Sequence, residues 1–408
     1  MYPRYKYRRR TQLKRLAWIV LVLATLWTAV EVFFVRKALD HRAETPIELS
    51  SQRIFITALH WNNEPILRTH WNKAIYELVQ VVGKDRVFVS LQEGGSFVDD
   101  TKGALRELDF YLGEIGIRRK VVIDDVLHTD ILDHRPEDVE PGWIKAENGT
   151  LQLRRIPFLA KLRNQALEPL YELLEKGETF TKILFLNDVA FNTSQIKALL
   201  NTNGGQYAAA CALDFAKPPA FYDTFALRDS EGHEAMMSRW PYFRGRESRQ
   251  AMKKNQPIPV KSCWNGAVLM DAAPFYTAVD RFAFRGISDD LSLHHVEGSE
   301  CCLIHADNPL SQSRGVFLNP AVRVGYNASA YGIVNPPGSA PWLNVVDIVR
   351  GSWENRIRRW FWTDYFVRSK IAGRLQKWAS DGRRRSEAGA DCLIDETQVV
   401  SWNGWAHL

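Results

Sequence analysis

The segment KILFLNDVAF (Lys182 to Phe191) runs an apolar stretch directly into Asn187 and Asp188. A carboxylate at the carboxyl end of a buried strand sits where an α/β sheet binds its ligands, and Mg²⁺ or Mn²⁺ prefers carboxylate, phosphate and water oxygens. Asp188 is therefore the leading ligand for a cation that bridges the diphosphate of a nucleotide sugar and offsets the charge growing as the diphosphate leaves. The rival role is a helix cap, with Asp188 closing the helix that starts near Asn192. With Asn187 before it and Val189 after it, Asp188 is not part of an Asp-x-Asp pair. A second carboxylate must come from elsewhere, for instance Asp214 at the end of the next apolar run, YAAACAL (Tyr207 to Leu213).

Other segments could complete such a site. In SCWNGAVLMDAAPF (Ser262 to Phe275), Trp264 offers a flat face to a sugar and the Asn265-Gly266 pair lets backbone approach a ligand closely; plain core packing is the alternative for Trp264. EGSECCLIHAD (Glu297 to Asp307) reads as a buried strand, with Glu297 and Glu300 before it and His305 and Asp307 after it. Glu300 would face the reacting sugar or the acceptor hydroxyl and His305 would complete the metal shell, against a surface acid and a core histidine. Arg163 and Asn164 are polar in the otherwise apolar PFLAKLRNQALEPL. A guanidinium suits a diphosphate, although a lone helical Arg also serves as a solvated charge or a structural ion pair. HWNNE (His60 to Glu64) and SLQEGGSFVDD (Ser90 to Asp100) follow the first two strands, where base and ribose would bind, or else form turns and caps. His60, Asn62 and Glu93 are their candidate donor-binding residues.

The elements that must position these residues alternate. Strands are expected at Arg53 to His60, Arg86 to Leu91, Arg119 to Asp124, Lys182 to Asn187 and Tyr207 to Leu213, and helices at Glu64 to Gly83, Thr101 to Gly116, Pro157 to Lys176 and Ser194 to Asn201. Leu132 to Leu151 reads as a loop, and Lys217 to Lys261 as loops over the site. Strand structure returns at VLMD after Gly266, followed by a short helix near Pro274. Trp353 to Trp378 has the pattern of a basic, Trp-rich amphipathic helix, packed on the domain or touching a membrane surface or polyanion. The alternation means an α/β domain with a mostly parallel sheet, whose ligands bind at the carboxyl ends of its strands.

The 408 residues are 46% hydrophobic and 25% charged, which fits a folded chain with a substantial core. The net charge of +6 is unevenly distributed, with seven basic residues and no acid in the first fifteen positions. The central region is acidic, so a nucleic-acid partner is not expected. Residues 16–35, LAWIVLVLATLWTAVEVFFV, are long enough for one transmembrane helix. With the basic tail of residues 1–15 kept cytosolic, a stem at 36–51 and the rest of the chain are lumenal. Sequons at Asn148, Asn192 and Asn327 suit that side, and five cysteines allow two disulfides and one free thiol.

In order, ITALHWNNE, VFVSLQEGGSFVDDTKGAL, IPFLAKLRNQALEPL, KILFLNDVAF, YAAACALDF, CWNGAVLMDAAPF, EGSECCLIHAD and VVSWNGWAHL resemble the fungal capsule-associated α-1,3-mannosyltransferases, from about Arg53 onward. The resemblance implies a GT-A-like, Rossmann-type nucleotide-sugar-binding domain over 52–345, with a basic extension over 346–408 packed on it. It further implies GDP-mannose as donor, a mannose-containing oligosaccharide or polysaccharide as acceptor, Mn²⁺ or Mg²⁺ as cofactor, and a single-pass type II protein of the Golgi. Asp188 would hold metal and diphosphate, with Glu93, Arg163, Asn164, Trp264, Asn265, Glu300 and His305 around the donor. Some members of that family have no assigned activity. A glycan-binding or scaffold relative, or a transferase for another nucleotide sugar, is the alternative.

Overall fold

Hydrophobic runs and amphipathic helices fold around one nine-stranded sheet. The computed structural model describes residues 3–40, 45–123, 128–133, 136, 138–146, 149–277, 281–338, 340–361, 364–381 and 385–408. Its sheet contains β1 (Ile54–His60), β2 (Val87–Glu93), β3 (Arg119–Val122), β4 (Lys182–Leu186), β5 (Ala209–Phe215), β6 (Arg228–Asp229), β7 (Ile258–Ser262), β8 (Ala267–Asp271) and β9 (Val316–Gly325). The order is β3-β2-β1-β4-β8-β5-β9-β7-β6. β7 and β8 run against the other strands, so the sheet is mixed but mostly of one direction. The carboxyl ends of β1, β2, β4 and β5 consequently open on the same edge.

Side chains alternate between two cores. From β1, Ile54 and Ile56 join β2 Val89 and β4 Leu184 and Leu186 beneath three helices: α2 (Asn72–Val82), α3 (Thr101–Glu114) and α5 (Thr193–Leu200). Phe55, Phe88 and Phe185 point the other way, against α4 (Arg155–Glu175), which brings Ala160, Leu167 and Leu170. Each fully buried Leu, Ile or Phe stabilises the fold by about 1.5–3 kcal/mol. Strand periodicity thus fixes which face every site residue leaves from.

Ahead of the domain stands α1 (Pro3–Asp40), which continues as helix into the segment expected to be stem. The sequence Glu300 to Asp307 is not a strand but helix α6 (Glu300–Asp307). Ser299 caps it by accepting the Cys301 N–H, and with Ile304 as its only β-branched residue the segment lacks the run that favours a strand. Within the expected loop at Leu132 to Leu151, Trp143–Lys145 instead pairs with Leu151–Leu153 as a short ribbon. The single amphipathic helix expected near the end is two, α7 (Val345–Phe361) and α8 (Tyr365–Ser380). Beyond them, Leu393–Ile394 pairs with Glu297–Gly298, and the disulfide Cys302–Cys392 fastens this last segment to α6. Cys211–Cys263 is the second disulfide, and Cys301 is a buried free thiol.

Arg154, just before α4, fixes the approach to α6 from inside. Fully buried, it bonds Glu297 and Asp289 at 2.7 Å each and the Ile287 carbonyl at 2.9 Å. Burial pushes the Glu297 carboxyl up to about 7 against the opposing pull of Arg154. Removing one partner of such a pair strands the other, at a cost of about 3–5 kcal/mol. Arg154→Met should therefore lower the urea midpoint sharply, and adding Glu297→Gln should recover part of the loss. A single variant as stable as the parent would show that the pair does not hold this junction.

Candidate active site

Asn187, the residue after β4, is bonded on every side. Its N–H donates to the Gly266 carbonyl (2.8 Å) and its carbonyl accepts the indole N–H of Trp71 (3.0 Å). The side-chain oxygen accepts the indole N–H of Trp264 (2.9 Å), while the side-chain N–H donates to the Tyr326 hydroxyl (3.2 Å). That hydroxyl in turn donates to Asp214 Oδ2 (3.2 Å). Asp214 Oδ1 accepts Nδ2 of Asn265 (3.0 Å) and the N–H of Asp223 (3.2 Å), and the same Asn265 nitrogen reaches the Asp223 carbonyl (2.9 Å).

The turn into β8 makes this possible. Asn265 has φ 48° and Gly266 φ 83°, and a Cβ at 266 would stand 2.7 Å from Val324 Cγ2 and 3.2 Å from Asp214 Cβ. Only glycine lets the three strand ends close to this distance. Trp264, one residue earlier, extends the network towards α4. The Arg163 guanidinium lies 4.4 Å from the centre of its ring and donates through Nε to Glu300 Oε1 (3.0 Å) at the start of α6. The Cys301 thiol also donates to Glu300 Oε1 (3.3 Å), and burial pushes the thiol's pKa well up, which keeps it protonated.

Asp188 is half-buried beside this network, hydrogen-bonded by the Asn63 side chain, and burial pushes it up to about 6. The Asn63 amide also meets Nδ1 of buried His60 (3.1 Å), whose pKa burial lowers to about 3, so His60 is neutral. Asp214 is pushed up to about 7, by burial first and then by the neighbouring Asp223 carboxylate; Asp223 is raised as well, chiefly by burial. Buried Glu93 accepts the Ser96 N–H (2.5 Å), and Lys102 stands 3.9 Å away.

The structure thus brings together His60, Asn187, Asp188, Asp214, Trp264, Asn265, Gly266, Arg163 and Glu300. Asn62, with φ 48°, holds the turn after β2 by accepting the Phe97 and Val98 N–H groups. Asn164 exchanges two 2.9 Å hydrogen bonds with the Phe284 backbone, a clamp on the loop before α6. His305 does not join Asp188. Its Nε2 lies 2.6 Å from the Cys263 carbonyl, and burial lowers its pKa to about 4. Among the described residues, the one triple of possible metal-ligating side chains is Cys211, Cys263 and His305, and both of its sulfurs are consumed in a disulfide. The expected shell of Asp188, Asp214 and His305 is therefore not gathered, because α6, as a helix, turns His305 into the core.

Asp214 accepts hydrogen bonds at both oxygens and Asp188 accepts one from the Asn63 side chain. An oxygen donor in a desolvated place, its proton affinity raised for want of a counter-charge, fits a hard divalent ion such as Mn²⁺ or Mg²⁺. Two members of the cluster escaped the sequence reading. Tyr326 follows the unread strand β9, where the run AVRVG was the available signal. Asp223 lies in an irregular loop without a periodic signal. Of the sequons, Asn192 and Asn327 are exposed helix N-caps, and Asn148 lies outside the described residues. A cavity of about 380 Å³ bounded by Arg228, Arg244, Asp364, Arg368 and Asp391 shares no residue with the cluster; Arg244 pairs with Asp364 and Arg368 with Asp391, while Arg228 donates to backbone carbonyls.

Residues 53–307 match the family described as cryptococcal mannosyltransferase 1, and the chain belongs to that family. Alpha-1,3-mannosyltransferase CMT1 of Cryptococcus neoformans var. neoformans is 24% identical over 273 residues, 61% of this chain and 52% of the relative. The chain thus spans about half the length of the curated relative it matches. Among solved structures, mannosyltransferase PcManGT from Pyrobaculum calidifontis in complex with GDP-Man and Mn²⁺ overlaps with a TM-score of 0.40 at 12% identity, over 91% of this chain and 88% of that one. GalNAc-T7 with UDP, GalNAc and Mn²⁺ overlaps with a TM-score of 0.38 at 12% identity, over 81% and 55%.

Asp214 gives the site a pH signature. A carboxyl at about 7 when folded and near its ordinary value when unfolded binds more protons in the folded state between those limits. Stability is then fullest at the acid end of this window and falls as pH rises from about 4 to about 7. The melting temperature of the metal-free protein should be higher near about pH 5 than near about pH 8, with the difference reduced in Asp214→Asn and the remainder supplied by Glu297 and Asp188. An unchanged slope in that variant would remove Asp214 as its source.

Proposed function

We propose that this member of the family transfers mannose from GDP-mannose to a mannose-containing oligosaccharide or polysaccharide, in α-1,3 linkage and with retention of configuration. The observation that carries the reading is that the family match over 53–307 includes the cluster from His60 to Glu300 at the carboxyl ends of the strands. A single-pass type II protein of the Golgi is the accompanying reading. The helix Gln12–Asp40 contains a stretch of mean hydropathy 2.2, apolar enough to cross a membrane, and the basic residues ahead of that stretch favour the cytosolic side.

Retention follows from an α-linked donor giving an α-linked product. The bond from the anomeric carbon to the diphosphate oxygen breaks, the acceptor oxygen bonds to the same face, and its proton passes to the departing phosphate. Cationic charge grows on the sugar and negative charge on the diphosphate, so the protein acts by positioning and by opposing charge. Asp188 would hold the Mn²⁺ or Mg²⁺, which when bound supplies positive charge against the diphosphate. Arg163, pinned between Trp264 and Glu300, would add a fixed cation on that side of the cluster. Glu300 would orient the acceptor hydroxyl or steady the cationic sugar, with its carboxylate aimed by Arg163 and Cys301.

Two measurements test this. Thermal shift of the detergent-solubilised chain with GDP-mannose, UDP-glucose or UDP-xylose, with Mn²⁺ or EDTA, should show stabilisation by GDP-mannose and Mn²⁺ together that is lost in Asp188→Ala. Stabilisation by a uridine donor alone would overturn the donor assignment, and no response to any donor would favour a glycan-binding or scaffold role. In turnover assays Glu300→Gln should keep GDP binding and lose at least about tenfold in rate, about 1.4 kcal/mol of barrier. Parallel loss of binding and turnover would instead make Glu300 a structural partner of Arg163.

A further inference from the structure

The anchor is too short to stand clear of the domain it carries. About twenty helical residues are needed to cross a hydrocarbon core of roughly 30 Å, and counting from Leu16, the first apolar residue after Lys14 and Arg15, they reach Val35. Contact with the domain begins well before that. Thr28 accepts the indole N–H of Trp353 on α7 (3.1 Å), the Arg356 guanidinium lies 4.6 Å from the Trp27 ring centre, and Val35 is buried. Glu31 bonds both Arg356 and Lys253 at 2.5 Å, so the acid in the apolar run has a cation on each oxygen, as an acid at membrane depth requires. Sliding the span towards the amino end would draw Lys14 and Arg15 into hydrocarbon, which is costly. The last turns of the span therefore lie beside the domain, the part of the domain they touch reaches into the outer leaflet, and the surface next to it lies near the lipid headgroups.

What the domain presents at that level is an aromatic face. Trp353, Ile357, Trp360 and Phe361 fall at i, i+4, i+7 and i+8, one stripe of α7. Its first residue touches α1, while Ile357, Trp360 and Phe361 are 50%, 61% and 82% exposed. α8 then opens with Tyr365 and Phe366, 66% and 78% exposed. Between Arg350 and Lys377 eight residues are basic and two acidic. Trp and Tyr beside Arg and Lys is the composition of side chains that sit at a membrane–water boundary.

We propose that the open face of α7 and the start of α8 is a second membrane contact, seated in the phospholipid headgroup layer next to α1, so that the domain lies on the bilayer instead of swinging from a stem. This rests on α1 being a membrane span, and the test separates the two. The full chain is placed in phosphatidylcholine nanodiscs and nitroxide labels are attached at Trp360→Cys, Phe366→Cys, Leu21→Cys within α1, and Phe110→Cys on α3 beside the opposite sheet edge. The parent chain, with only buried Cys301, gives the blank. Collision with oxygen relative to a water-soluble nickel chelate should be several-fold higher at positions 360 and 366 than at 110, and highest at 21. Lipid-like values at 21 with water-like values at 360 and 366 would overturn this contact and leave the anchor standing. Water-like values at all four would overturn both. Labels at 360 and 366 shielded from both reagents would mean that a second copy covers the face, which also overturns the proposal.

Discussion

The side-chain amide of Asn187 joins the two halves of the site, and it can do so because it is an amide. It accepts from Trp264 and donates to Tyr326 at once, linking Arg163 and Glu300 on one side to Asp214 and Asn265 on the other. A carboxylate there has no proton to give Tyr326 and would add a like charge near Asp214. This accounts for the absent first acid of an Asp-x-Asp pair. The position is spent on holding strand ends together.

Much of the framework was legible because fully buried strands write themselves as unbroken apolar runs. KILFLN, RIFITALH and YAAACAL mark three of the strands whose ends form the site, with His60 closing the second run and Asp188 and Asp214 directly following the other two. Reading failed where side-chain type and backbone setting disagree. ECCLIHA has the apolarity of a buried strand, yet Ser299 caps a helix, and that change of period moves His305 away from Asp188 into the core. β9 is interrupted by Pro320, with a register shift between Leu318 and Arg323, so its alternation is broken and Tyr326 at its end went unnoticed. Asn164 looked like a ligand because it is polar on an apolar helix, whereas its amide is used on the Phe284 backbone. Asp223 reaches the cluster only through long-range contacts, which no local pattern encodes.

The cluster also carries an electrostatic cost that the rest of the fold must cover. Asp188, Asp214 and Asp223 are all held above their ordinary range, chiefly by burial. Such carboxylates persist because each is hydrogen-bonded, Asp214 by Asn265, Tyr326 and the Asp223 N–H. The surrounding Trp71 and Trp264 exclude water while giving their indole N–H groups to Asn187, so the residues that desolvate the acids also fix them in place. Rigidity and the raised carboxyl pKa values here share one origin.

Cys302 sits two residues after Glu300 and is bonded to Cys392, ninety positions later. The bond that fastens the helix bearing Glu300 therefore cannot close until Cys392 has been made and an oxidant is present. A segment ninety positions downstream thus fastens a helix of the cluster. A compartment that keeps thiols reduced would leave this tie open, together with the one between Cys211 and Cys263 inside the sheet.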